Sequence, residues 1–336
     1  MKLSVLDQTP IRRGSNAVEA LQESVKLARL ADEWGYTRYW ISEHHNFLTL
    51  AAAAPEVLIA RLTAETKRIR FGSGGIMLPN HSALKVAENF RLLEALYPNR
   101  IDLGIGRAPG GDRLTASVLN PTNEFNPSDY IRQIDELKGF LEDKNTPGTI
   151  HEKVRAIPRI ETVPQLWMLT SSGESAYIAA HFGLALSYAK FINPNGGPEA
   201  IEAYRKQFKP SANLAKPQAS VGVFAFCGDT QAKVNEMQAV MDYHMLSIER
   251  GRVDDEAPSY ESVKGNVYTP DEKARIQYNR GRMIYGTADE VKARLTLLAA
   301  SFDVDEIVVA TFADTEADRL RSYQLLAEVF DLKTAQ

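Results

Sequence analysis

Eight times along 336 residues a short apolar run is followed by a stretch of helical period, and this alternation limits the fold more than any other feature. The strand-like runs are residues 2–7, 38–42, 70–78, 100–105, 166–170, 185–191, 220–227 and 306–312. A helix is expected over 17–34, where Val18, Leu21, Val25, Ala28 and Ala31 line one face and Gly35 stops it. Further helices are expected over 55–65, with Pro55 in the first turn, and over 83–96, 127–141, 175–182, 198–209, 231–249 and 316–330. Another, opened by the capping box Thr287-x-x-Glu290, runs to Ser301. Many strand runs are apolar on both faces, as parallel strands covered by helices must be. Eight βα units favour a closed (β/α)8 TIM barrel, an open doubly wound sheet being the alternative. Polar residues 250–285, with Gly251, Gly265, Pro270 and Gly281, read as an insertion before the last βα unit. No linker or low-complexity tract divides the chain, so residues 1–336 are expected to form a single domain.

The composition removes several classes of function. Hydrophobic residues make up 44% and charged residues 24%, the balance of an ordinary soluble domain. A net charge of −4 without a Lys/Arg cluster argues against nucleic acid. No run approaches the roughly 20 apolar residues of a membrane span. The opening MKLSVLDQTP is too poor in apolar residues for a signal peptide, and the lone Cys227 permits no internal disulfide, so a cytoplasmic location is expected.

In a barrel of this kind the active site lies where the strands end at their carboxyl side. Three places there are chemically unusual. After the second strand comes Glu43-His44-His45. Adjacent side chains on an extended strand face opposite ways, so the two histidines do not converge on one metal, and His81, His151, His181 and His244 add no spaced ligand pair. No metal site is expected. A single histidine suffices for proton transfer, and His44 is the candidate catalytic group. His45 or Glu43 either supports it by hydrogen bonds or satisfies a buried strand end. Second, Gly72-Ser-Gly74-Gly75 in the third strand implies either a flat ligand against the backbone or a bulge at the rim. Third, the small-residue loop Ser171-Ser172-Gly173-Glu174-Ser175 opens a helix. It suits a phosphate, with Arg107 as counter-charge, or it is a plain capping box, Ser171-x-x-Glu174. The glycines of Gly104-Ile-Gly106-Arg-Ala-Pro-Gly110 imitate a dinucleotide loop, but Pro109 and Gly111 fall where its helix should begin.

Taken in order, Ser42-Glu-His-His45, Gly74-Gly75 before Met77-Leu-Pro79, Arg100-x-Asp-Leu-Gly-Ile-Gly-Arg107 and Ser172-Gly-Glu-Ser175 carry a resemblance. The chain resembles the bacterial luciferase-like flavin-dependent monooxygenases over essentially its full length, and most closely their alkanal-monooxygenase-like single-chain oxidoreductases. The resemblance implies a barrel of the luciferase-like type and FMN as cofactor, reduced elsewhere by a partner flavin reductase. It implies that Arg107, Ser172, Gly173, Glu174 and Ser175 hold the phosphate, with Glu174 acting through its backbone N–H. Gly74-Gly75 matches a cis peptide against the flavin ring, His44 matches the catalytic histidine, and 250–285 matches a mobile loop closing over the site. The expected reaction uses reduced flavin and molecular oxygen to oxidise a small organic substrate such as an aldehyde. The alternatives are an F420-dependent oxidoreductase of the same fold and a flavin-binding protein without catalysis. A homodimer is also implied. Where some luciferase chains have a reactive cysteine this chain has Gly106, so no cysteine-dependent step is expected.

Overall fold

The computed structural model describes residues 1–122, 124, 126–144, 146–251 and 256–333. Nine strands are present among them: β1 (Lys2–Asp7), β2 (Arg38–Ile41), β3 (Arg70–Met77), β4 (Ile101–Gly106), β5 (Gln165–Thr170), β6 (Ala185–Ala189), β7 (Ala219–Cys227), β8 (Met283–Gly286) and β9 (Glu306–Ala310). Pairing runs β1-β2-β3-β4-β5-β6-β7-β9 and back to β1, every neighbour parallel, so eight strands close into a barrel. The open-sheet alternative is thereby excluded.

Local chemistry sets the helices between the strands. In the first, Ala17–Trp34, the Asn16 side chain accepts from the Glu19 amide at 3.1 Å, and Gly35 ends the helix with φ 85°, a left-handed turn that suits glycine. The Thr287 box forms as expected, with Glu290 accepting from the Thr287 amide at 2.8 Å.

Strand residues alternate between two cores. Leu3, Val5, Tyr39, Ile41, Leu103, Ile105, Leu166, Met168, Val221 and Val223 pack outward with the helices. Leu6, Trp40, Trp167, Phe224, Val308 and Ala310 belong to the core inside the ring. At the amino ends of the strands the interior is charged. Arg38 donates to Glu306 and to Asp102, both at 2.8 Å. Arg70 donates to Asp102 at 2.6 Å, Ser4 to Glu306 at 2.7 Å and the Trp40 indole to Asp102 at 3.1 Å. The Arg38 guanidinium also lies 4.7 Å over the Trp167 ring. Two cations and two carboxylates compensate one another, and Ser4, Arg38, Asp102 and Glu306 are all buried, so this layer closes the barrel floor. The opposite, carboxyl-terminal end is left as the mouth.

Two regions differ from the sequence expectation. Residues 107–126, to which the sequence assigns no helix, contain the helix Arg113–Leu119, capped by Asp112 accepting from the Thr115 amide at 2.9 Å. Among its described residues, the insertion 250–285 holds helices Tyr260–Val263 and Pro270–Asn279, and its end lies in β8. β8 runs beside Phe224–Cys227 of β7, whereas β6 pairs with β7 over Ala219–Gly222, so β8 extends that wall beyond β6. Residues 252–255 of the insertion lie outside the described residues.

Candidate active site

β2 delivers Ser42, Glu43, His44 and His45 to the mouth. The two histidines, just past the strand end, take different partners. His44 Nδ1 lies 3.1 Å from Ser42 Oγ, and its ring meets Phe47 edge-on at 5.7 Å. His44 is half-buried, and burial pushes its pKa down to about 4, with the Glu43 charge opposing and His45 adding to the shift. The ring is therefore neutral at neutral pH.

Glu43 is fully buried and does not bond His44. One oxygen accepts from His45 Nε2 and from His81 Nε2, each at 2.8 Å, and the other accepts from the Met77 amide at 2.9 Å. Burial alone would raise its pKa, but the bonds from His81, His45 and Met77 outweigh that and hold it below the ordinary glutamate value. Burial disfavours the charged His81 ring, yet Glu43 more than compensates and raises its pKa. Of the two expectations for Glu43 and His45, satisfaction of a buried strand end is the one realised. His81, 38 residues from Glu43, completes the cluster, and no local sequence signal joins them.

In β3 the Gly74–Gly75 peptide bond is cis, and the register against β4 shifts between Ser73 and Ile76. A Cβ on Gly74 would lie 2.6 Å from Leu6 Cδ1, and one on Gly75 would lie 2.6 Å from Leu169 Cδ1 and 2.7 Å from the Gly104 carbonyl. Close approach of the β4 backbone requires Gly75, whereas the tightest contact at Gly74 is the end of a leucine side chain. The register shift fits a bulge at the rim.

Gly106 pairs with Met77, so Arg107 emerges beside the end of β3. Its Nη1 lies 2.9 Å from Glu174 Oε2. Glu174 opens the helix Glu174–Phe182, whose N-cap, Gly173, provides no side-chain cap. The capping-box explanation of Ser171-x-x-Glu174 therefore fails, because the Glu174 carboxylate turns to Arg107. Ser171 instead gives its carbonyl to the Tyr188 hydroxyl at 3.2 Å and to Asn193 Nδ2 at 3.0 Å. Thr170 Oγ1 accepts from the Ser172 amide at 3.0 Å. Ser172, Gly173 and Glu174 are exposed and Ser175 is buried. The structure thus brings together Arg107, at the end of β4 beside the strand carrying Gly74-Gly75, and the 172–175 turn at the end of the next strand, β5.

The far wall of the mouth is aromatic. Phe191 packs on Phe224 at 5.3 Å between ring centres, Phe224 on Phe312 at 5.6 Å, and His244 on Phe312 at 5.7 Å. Sequence reasoning left these unmarked, since aromatic residues at strand ends look like core. Cys227 is buried, and burial raises its thiol pKa to about 12, so it stays an unreactive thiol. A surface concavity of about 740 Å³ lies elsewhere, where helices 17–34 and 316–329 end, and includes none of the mouth residues. A smaller one, about 120 Å³, adjoins Arg107 and Tyr130.

The profile of the luciferase-like monooxygenases matches residues 1–303. The chain is 48% identical to YwcH of Bacillus subtilis (strain 168), covering 98% of this chain and 99% of that one. It is 34% identical to the N-acetyl-S-alkylcysteine monooxygenase of the same organism, covering 98% of each. The crystal structure of apo-MsnO8 superposes with a TM-score of 0.91 at 38% identity, covering 99% of each chain. Two more distant structures share the fold alone. One is the oxygenating constituent of 3,6-diketocamphane monooxygenase from Pseudomonas putida, in complex with FMN (TM-score 0.68, 18% identity, 98% of this chain and 97% of that one). The other is an F420-dependent secondary alcohol dehydrogenase (TM-score 0.67, 12% identity, 100% and 99%). With the profile spanning nine-tenths of its length and close relatives matching from end to end, the chain belongs to the luciferase-like monooxygenase family.

Proposed function

We propose that this protein is an FMN-dependent monooxygenase that takes reduced flavin from a separate flavin reductase and oxidises a small organic molecule. The observation carrying this reading is the pairing of Arg107 with a helix start that lacks a side-chain cap. The exposed turn at Gly173 and Glu174, the positive end of a helix and a guanidinium suit a phosphate. Glu174 offers its carboxylate to Arg107 at 2.9 Å, and would contribute to an anion through its amide instead.

Bound reduced flavin would supply two electrons to molecular oxygen, one atom going to the substrate and the other to water. The chain's own groups act around it. His44, neutral at working pH and oriented through Nδ1 by Ser42, takes and returns a proton through Nε2. The Glu43 cluster ties the end of β2 to β3, keeping the His44 segment in place beside Met77. Phe191, Phe224 and Phe312 give the mouth an apolar wall that sheds water and receives the carbon part of a substrate. The resemblance to alkanal oxidation favours an aldehyde, and the N-acetyl-S-alkylcysteine monooxygenase relative favours a thioether. Closure of the insertion 250–285 over the mouth, a homodimeric state and a cytoplasmic location belong to the same reading; among the described residues no helix is long and apolar enough to cross a membrane.

Titration with reduced and oxidised FMN, followed by oxygen uptake across aldehydes and thioethers, tests the proposal. Substrate-dependent oxygen consumption with oxygenated product is the expected outcome. Hydride transfer from reduced F420 without oxygen uptake would establish the alternative chemistry, and tight flavin binding without turnover of any substrate would mark a carrier.

A further inference from the structure

Among the described residues, half-buried Arg100 and Lys190 and exposed Arg294 make no ion pair with a carboxylate, and they are satisfied to different degrees. Arg100 donates to the Thr66 and Ile69 carbonyls and to the Thr66 hydroxyl, and Arg294 donates to the Tyr285 and Met283 carbonyls. Lys190, just past β6, donates one hydrogen bond, to the Pro194 carbonyl at 2.8 Å. An ammonium has three donors, so two of them are left without a protein acceptor. Burial without a counter-ion lowers the Lys190 pKa.

Its position gives this a purpose. Asn193, on the same turn, bonds the Ser171 carbonyl at 3.0 Å, and the Tyr188 hydroxyl bonds both Ser171 at 3.2 Å and Asn195 at 3.0 Å. The turn that carries Lys190 is therefore bolted to the loop leading into residues 172–175. The next residue, Phe191, packs into the aromatic wall against Phe224 and against Gly222. Lys190 thus sits at the seam between the polar edge of the mouth and its apolar wall.

We propose that Lys190 is a specificity-determining residue that binds an oxyanion of a molecule held in the mouth: the carboxylate of the organic substrate or the phosphate of the cofactor. This rests on the reading of the mouth as a flavin and substrate site. A thioether amino acid of the kind named by the relative presents both an apolar chain for the aromatic wall and a carboxylate for the ammonium.

The test uses the full chain with Lys190→Gln and Lys190→Arg. Calorimetry and flavin fluorescence give dissociation constants for FMN, for riboflavin (which lacks the phosphate), for N-acetyl-S-methylcysteine and for its uncharged methyl ester. Loss of a charge-assisted bond weakens binding about tenfold or more. If the anion is the phosphate, Lys190→Gln weakens FMN by that factor and spares riboflavin. If it is the carboxylate, the variant weakens the acid and spares the ester. Lys190→Arg retains most of the affinity in either case. All four constants unchanged within twofold, equal losses for charged and uncharged partners, or a wild type that binds none of the four would each overturn the proposal. Loss of the monooxygenase reading alone looks different: wild type then discriminates acid from ester through Lys190 but consumes no oxygen.

Discussion

Glu43→Gln is an isosteric change, and the geometry of the cluster sets what it should cost. The carboxylate accepts three hydrogen bonds, from His45, His81 and the Met77 amide, inside a site where Glu43 is 1% exposed. A glutamine offers one oxygen and one NH2, so at least one of the three donors loses its acceptor, and the surviving bonds lose their charge assistance. Together these effects come to about 2–4 kcal/mol. An unfolding entropy of about 2.1 cal/mol/K per residue over 336 residues is about 0.7 kcal/mol/K, which converts the loss into a Tm drop of about 3–6 °C. The drop should depend on pH. His81, whose pKa rises on folding, adds stability that is full below its ordinary 6.5 and fades as pH climbs through the raised value. Glu43, whose pKa falls on folding, adds stability that is full above its ordinary 4.5 and fades as pH drops through the lowered value. Differential scanning calorimetry at about pH 6 and about pH 9 should therefore show the larger cost at pH 6. A shift below 1 °C at pH 6, or a cost that grows towards pH 9, would refute the reasoning.

The remaining predictions concern separate parts of the molecule. His44→Ala should lower turnover by roughly 10²–10⁴ while FMN affinity stays within a few-fold of wild type; unchanged oxygen uptake would remove His44 from the chemistry. Because the His44 pKa lies at about 4, kcat/KM should show no inflection from this residue between about pH 5.5 and 7, and an inflection abolished by His44→Ala would contradict the burial argument. Arg107→Gln should weaken FMN about 10- to 100-fold and leave riboflavin unaffected, read by flavin fluorescence. Asp102→Ala leaves Arg38 and Arg70 facing each other in the floor without their shared carboxylate and should cost about 3–5 kcal/mol, seen as a Tm drop of several degrees.

The fold was legible because its signals are local. Runs apolar on both faces, Gly35 as a stop and Thr287-x-x-Glu290 as a start each act within a few residues. β8 escaped because Met283–Gly286 is four residues long and becomes a strand only by pairing with the end of β7. The helix at Pro270 did have a local mark: Thr269 and Glu272 form a capping box, masked by the polarity around it. At the site, the strand ends pointed to His44, Arg107 and the 172–175 loop, since any barrel converges there. What the residues do to one another was not legible. The Glu43–His81 bond spans 38 positions, Arg107 to Glu174 spans 67, and the reason for Gly75 is the Gly104 backbone on another strand.

The charged layer formed by Arg38, Arg70, Asp102 and Glu306 makes the barrel a cup rather than a tube. On the proposed reading, cofactor, substrate and product share the open end as their doorway. Traffic through one doorway runs last in, first out: whatever lies deepest waits for whatever arrived after it. On that reading, a flavin lying beneath a product would be exchanged only once that product had gone.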